Sequence, residues 1–99
     1  MDIDFENLNI RNNPQASRYE VQLGDQLAIA EYSLAGNNMV FTHTEVPVEF
    51  EGKGIASRLA KFALDDAIAS GYKIQALCPY ITVYVQRHKE YQPHTWGYF

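Results

Sequence analysis

The sequence predicts an α+β domain in which an antiparallel meander is followed by a helix, a parallel strand and a short C-terminal helix. Three observations carry that expectation. Apolar and polar residues alternate at a period of two from Arg18 to Val46, broken by the turn signals Gly24-Asp25 and Gly36-Asn37-Asn38. At Ile55 the period lengthens to that of a helix and holds to Gly71, where a glycine can stop it. A short buried run, Lys73 to Leu77, comes next, and a strand–helix–strand unit of this length implies a parallel, right-handed crossover.

Taken in order, residues 1–16 form a polar segment whose Asn12-Asn13-Pro14 reads as a turn, so any strand at Leu8–Arg11 is short and lies at an edge. Tyr19, Val21 and Leu23 alternate with Arg18, Glu20 and Gln22 in the first long strand. Gln26 to Leu34 alternates again, with Leu27, Ile29 and Glu31 on one face and Ala28, Ala30 and Tyr32 on the other. Met39 to Val46 is rich in β-formers and makes the third strand of the meander. Pro47 ends it, and Glu49 to Gly54 is a charged connection. The helix then puts Ile55, Leu59, Phe62, Ala63, Ala67 and Ile68 on one stripe and Arg58, Lys61, Asp65 and Asp66 outside. Cys78-Pro79 closes the buried strand. Tyr80 to Arg87 reads as a short helix, with a strand as the competing reading because of its β-branched residues.

The 99 residues are expected to form a single minimal domain over 1–99, the polar segment 1–16 and an aromatic tail 92–99 included. No run approaches the roughly 20 apolar residues of a membrane span, and no apolar stretch follows Met1-Asp2-Ile3-Asp4, so neither a membrane nor an export signal is expected. One cysteine fits a reducing, cytoplasmic setting. The net charge of −4 argues against a nucleic-acid partner. That mean conceals a polarity. Residues 1–51 hold nine acids against Arg11 and Arg18, net −7, while residues 52–99 hold six bases against Asp65, Asp66 and Glu90, net +3. The basic half can hold an anionic ligand, although a chance split is equally compatible with so short a chain.

The most informative stretch runs from Val46 through Gly52-Lys53-Gly54-Ile55-Ala56-Ser57-Arg58-Leu59. It reads as strand, tight loop and helix start. The first turn of a helix has free N–H groups, and glycines let an anion approach that backbone closely. A Walker A loop requires Lys-Ser/Thr after its last glycine, where Ile55 stands, and a Rossmann fingerprint fits poorly as well. An isolated Gly-x-Gly is more often only a structural turn.

The longer line decides. His43-Thr44-Glu45-Val46-Pro47, Glu51-Gly52-Lys53-Gly54-Ile55-Ala56-Ser57-Arg58-Leu59, Leu77-Cys78-Pro79-Tyr80 and Tyr84-Val85-Gln86-Arg87-His88-Lys89-Glu90-Tyr91 together resemble the smallest branch of the GNAT superfamily of N-acetyltransferases, the YjdJ-type domain. The resemblance covers the chain from Arg18 to Tyr91. It implies the GNAT-like mixed sheet, acetyl-CoA as cofactor and an amine acceptor that the sequence does not name. It also implies that the third strand and the Cys78 strand splay apart to admit the pantetheine arm. The backbone near Val46 would bond that arm, and the N–H groups of Gly52, Lys53, Gly54, Ile55 and Ala56, with Ser57 beside them, would hold the pyrophosphate, Lys53 or Arg58 adding charge. Glu51 departs from the family's usual Gln or Arg, and its carboxylate is expected to turn away from the phosphates.

Acetyl transfer requires a neutral amine, a stabilised oxyanion and a proton for the departing thiolate. Tyr84 resembles the superfamily's proton donor; the plain alternative is a core tyrosine. Cys78 stands as a nucleophile forming an acetyl-cysteine, as a wall of the site, or as a small core residue. His43 and Glu45 share one face of their strand, where they either supply the general base or form an ordinary exposed pair. Arg87 and His88 either touch the nucleotide end of the cofactor or cap the last helix. The histidines and Cys78 lack metal-ligand spacing. Tyr91, Trp96, Tyr98 and Phe99 are expected to cover the domain's own core, with a subunit contact or a substrate wall as alternatives. A monomer or weak homodimer is expected. The competing functions are a CoA-binding module without transferase activity and a plain interaction domain.

Overall fold

Alternation between Arg18 and Glu45 buries one face of each long strand, and the glycine turns lay those strands side by side. The computed structural model describes residues 3–96, so the tail expectations for Tyr98 and Phe99 lie outside the described residues. The elements are β1 (Arg11–Asn13), β2 (Arg18–Leu23), β3 (Gln26–Ala35), β4 (Asn38–Glu45), α1 (Ile55–Ala69), β5 (Lys73–Ala76) and α2 (Pro79–Arg87), with 3₁₀ turns at Val48–Phe50 and Lys89–His94. They form one mixed sheet in the order β1-β2-β3-β4-β5, antiparallel except for the parallel pair β4–β5. This is the expected α+β arrangement.

Helix α1 covers one face of the sheet. Its buried arc comprises Ile55, Leu59, Ala60, Ala63, Leu64 and Ala67, and it meets Ala28 and Ala30 on the strands. Small residues on both surfaces bring helix and sheet together, and Tyr19, Tyr32 and Phe41 fill the remaining volume with mutually packed rings. The stripe expected from sequence is displaced. Leu64 lies in the core, whereas Phe62 sits at the flank of the arc, exposed but with its ring edge against Tyr19. Asp66, expected outside, is half-buried because it accepts a hydrogen bond from the Tyr19 hydroxyl at 2.7 Å. Burial and that carboxylate push the Tyr19 phenol well above its ordinary value. Its neighbour Asp65 does the same for the tail, accepting from Tyr91 at 2.7 Å.

The edge strand also differs from expectation. Leu8–Ile10 is outside the ladder, and β1 begins at Arg11, taking in Asn12 and Asn13. The cause is Glu20, a buried carboxylate in β2. It accepts hydrogen bonds from Arg11 (2.8 and 3.2 Å), Asn13 (3.1 Å) and Arg18 (2.8 Å), which draws the asparagines into pairing and moves the turn to Pro14–Ser17. At the other end, β5 stops at Ala76. Leu77, expected in the buried strand, is exposed. The tail is more regular than expected: Tyr91 and Thr95 are buried, and the Trp96 N–H donates to the Ile74 carbonyl at 2.7 Å. Trp96 itself is exposed rather than covering the core.

The donors around Glu20 hold its carboxyl down to about 2, from an ordinary 4.5, with Arg18 the largest cause, then Arg11 and Asn13. A carboxyl lowered on folding contributes stability that is present above pH 4.5 and lost as the pH falls toward 2. Thermal unfolding from pH 6 to 2 is expected to show that loss in the native chain, whereas Glu20→Gln lowers the melting temperature at pH 6 and flattens the acid limb. An unchanged acid limb in Glu20→Gln would contradict the assignment.

Candidate functional site

The site begins where β4 and β5 part. Their ladder ends at the pair Phe41↔Ala76, and the Phe41 carbonyl then accepts from both the Leu77 and Cys78 N–H groups at 2.9 Å. Beyond this point β4 stays with β3. The other chain turns into α2, because Pro79 at its first position has fixed φ and needs no N–H partner there.

A bulge shapes the β4 side. Tyr32 faces Phe41 and Glu31 faces His43, which leaves Thr42 as an extra residue with its hydroxyl on the Glu31 carbonyl at 3.4 Å. The bulge inverts the alternation. Thr44, opposite the buried Ala30, now shares the core face, while His43 and Glu45 lie on the opposite face beside Glu31 and Ile29.

After Pro47 and the 3₁₀ turn, Gly52 (φ 81°) and Gly54 (φ 76°) take left-handed backbone that other residues rarely adopt, and Gly54 caps α1 without a side-chain acceptor. The first-turn N–H groups at Ile55, Ala56 and Ser57 precede the first intrahelical bond, from Arg58 N–H to the Gly54 carbonyl. A Cβ at either glycine would meet nothing within 4 Å, so the space over this loop is open.

Between these walls lies a cleft of about 420 Å³ lined by Thr44, Val46, Phe50 and Tyr80, and by the loop residues Glu51, Gly52, Gly54, Ile55, Ala56 and Ser57. Its volume is within the range of small-molecule sites. Six of the residues expected to contact a cofactor therefore line one cavity. A second hollow of about 440 Å³ lies along the outer edge of β5, lined by Leu77, Trp96, Gln86 and Thr82 among others. It has no glycine loop and no helix start, so it offers no comparable set of backbone donors.

The remaining expected residues are distributed around the cleft. Cys78 is only 4% exposed, at the start of α2, with its Sγ 3.3 Å from the Thr44 hydroxyl. Thr44 lines the cavity and Cys78 does not. Tyr84 is 7% exposed and stacks on the His88 ring at 3.9 Å. Burial raises its phenol, offset by the nearby Lys61 ammonium. Tyr80, one turn earlier and 38% exposed, lines the cavity; burial raises it also, with Ser57 and Arg87 acting in the opposite sense. His88 closes α2, its Nδ1 2.8 Å from the Tyr84 carbonyl, which is the capping alternative. Arg87 is exposed in the last turn of α2. His43 Nε2 lies 3.6 Å from Glu45 Oε1, their side chains 53% and 66% exposed. Lys53 and Arg58 turn toward Phe5 in the N-terminal segment.

Thr44 and Tyr80 also line the cavity, although neither carries a site signal in the sequence. Thr44 lies between His43 and Glu45, and only the bulge, which period-two counting does not foresee, turns it inward. Tyr80 is the first-turn aromatic after the helix-starting proline, a position that the helical reading of Tyr80 to Arg87 implies. Among the described residues, no group of three or more His, Cys, Asp or Glu side chains is placed to hold a metal, and no helix is long and apolar enough to cross a membrane.

Residues 18–94 match the family described as GCN5-related N-acetyl-transferase. The chain belongs to that family. A mouse (Mus musculus) relative, Protein NATD1, is 33% identical over 84 residues, covering 82% of this chain and 76% of its own length. The Xenopus tropicalis protein of the same name is 32% identical over 84 residues, covering 82% and 77%. The human (Homo sapiens) one is 40% identical over 62 residues, covering 62% and 55%. The mixed five-stranded sheet with its helices is that of a small GNAT-type domain.

Because Gly54 sits at positive φ, Gly54→Ala is expected to cost about 1–3 kcal/mol of stability from backbone strain, with no clash at the added Cβ. Chemical denaturation measures this. A loss below about 0.5 kcal/mol would contradict the strained loop geometry.

Proposed function

We propose that the chain is an acetyl-CoA-dependent N-acetyltransferase acting on an amine. The observation that carries this reading is the single cleft joining the open end of the β4–β5 ladder to the glycine loop and the start of α1. Its chemistry fits the cofactor. The N–H groups of Gly52 through Ala56 would hold the pyrophosphate, favoured by the positive end of the α1 dipole. Backbone at Val46, on the opposite wall, would bond the amides of the pantetheine arm, while Phe50 and Ile55 give it apolar cover. When bound, acetyl-CoA supplies the activated thioester.

The chain's own groups divide the remaining work. Tyr80 lines the cavity, so its hydroxyl is the more accessible phenol for protonating a departing thiolate; Tyr84 stacks on it, 6.5 Å between ring centres, and Ser57 acts on both phenols. A phenol with a raised proton affinity remains protonated at neutral pH, as a donor must. His43 and Glu45 occupy the sheet face opposite the cleft, the side from which an amine can reach the strand opening, and their pairing suits a base that removes the amine proton. The burial of Cys78 beside Thr44 supports direct attack by the amine. A covalent route is the second reading, favoured by one contact: the hydrogen-bond partner of the thiol is itself a wall of the cleft. In that route Cys78 Sγ would take the acetyl group while its proton passes to the departing CoA sulfur, and Cys78 would be released as a thiol, regaining a proton from the amine that displaces it.

Calorimetric titration with acetyl-CoA is expected to give saturable binding, and an amine panel is expected to release free CoA thiol. Binding without thiol release would leave a CoA-binding module; no heat at millimolar ligand would reject both. In the same assay Tyr80→Phe is expected to lower kcat by about 10- to 100-fold, in the range of a lost general acid, with KM little changed. Equal rates for Tyr80→Phe and the native chain would remove Tyr80 from the chemistry. Intact mass after incubation with acetyl-CoA separates the two routes: direct transfer leaves the mass unchanged, and an acetyl adduct absent from Cys78→Ala establishes the covalent one.

A further inference from the structure

The polar N-terminal segment precedes the family match at residue 18, yet it reaches the phosphate loop. Asp4 organises a turn there, accepting from the Glu6 N–H at 3.0 Å and the Asn7 side chain at 2.8 Å. This turn presents Phe5, half-buried against the core, to three residues of the site. Its ring meets the Phe50 ring, a wall of the cleft, at 6.3 Å. Lys53 Nζ lies 5.8 Å from the centre of the same ring. The Arg58 guanidinium donates to the Phe5 carbonyl.

Lys53 and Arg58 are the only cations in the loop and first turn, and both are engaged by one short segment carrying the carboxylates of Asp4 and Glu6. Neither residue lines the cleft among the described residues. A phosphate arriving at the glycine loop therefore meets backbone donors and the Glu51 carboxylate in the lining, with Arg87 acting farther along at Tyr80, while Lys53 and Arg58 are already engaged by an aromatic face and a carbonyl.

We propose that the segment Asp4–Glu6 determines the acyl-donor preference of this site by holding Lys53 and Arg58 away from the phosphates, so that the cleft selects the pantetheine thioester arm more strongly than the nucleotide. This rests on the acetyl-CoA reading of the cleft. The substrate class it defines is acyl-pantetheine thioesters, with or without the nucleotide attached.

The test compares acetyl-CoA with S-acetylpantetheine, which has the same thioester arm and no phosphate, by calorimetry on the full chain. The two affinities are expected to agree within about tenfold, the worth of one charge-assisted contact. Full-length Asp4→Asn/Phe5→Ala/Glu6→Gln is expected to bind acetyl-CoA about tenfold more tightly, with a steeper salt dependence and no such gain for S-acetylpantetheine, whose arm meets the Phe50 wall that Phe5 packs against. Lys53→Gln and Arg58→Gln, both at exposed positions, supply a measurement that does not depend on the stability of the triple variant. Each is expected to alter acetyl-CoA affinity less than about threefold in the native background. A triple variant that binds acetyl-CoA no better, or a tenfold loss in either single variant, overturns the proposal and leaves the acetyl-CoA reading standing. If neither thioester binds any form, the cofactor reading fails and this inference with it.

Discussion

The Phe41 carbonyl is the contact on which the site depends. It is the last acceptor of the parallel ladder and takes two donors, the N–H groups of Leu77 and Cys78, so it marks the point beyond which β4 and β5 share no further bond. The Phe41 ring is fully buried between Tyr19 and Tyr32, and Tyr19 is in turn tied to α1 through Asp66. The parting of the strands is thus anchored in the buried aromatic core. Past the parting, each chain is steered by its own local chemistry: a bulge at Thr42 turns Thr44 inward, and Pro79 converts the other chain into a helix. The cleft is the space those two departures leave.

The attraction for an anion at its glycine loop comes from the backbone rather than from Lys53 or Arg58. The net positive charge of the second half of the chain suggests a basic anion site, yet Lys61 is paired with Asp65, and Lys53 and Arg58 face Phe5. The favourable field at the loop is that of aligned peptide groups at the start of α1, released by two glycines in left-handed conformation and by a cap without a side chain. Such a field is short-ranged and acts on a ligand already seated. The apolar walls at Val46, Phe50 and Ile55 then contribute much of the holding, which suits an arm that is mostly uncharged.

Local periodicity made the strands from Arg18 onward, α1 and its glycine stop legible in the sequence, because each is enforced by one buried face. The glycine loop was legible because its conformation restricts residue type. Features set by side chains distant in sequence were not. Glu20 recruits Arg11 and Asn13 across a turn and so relocates β1; Tyr19 draws Asp66 inward from α1. The bulge has no residue signature, and without it Thr44 falls on the wrong face. The reach of Phe5 to Lys53 and Arg58 is likewise a tertiary event in a segment with no periodicity to read.

Backbone amide hydrogen exchange on the full chain, with and without saturating acetyl-CoA, tests the central claim most directly, since it reports on both walls at once. The account requires new protection at Thr44–Val46 and at Gly52–Ser57 together, with β1 and β2 unchanged. Protection confined to the Leu77–Trp96 hollow, or none at the glycine loop, would contradict it.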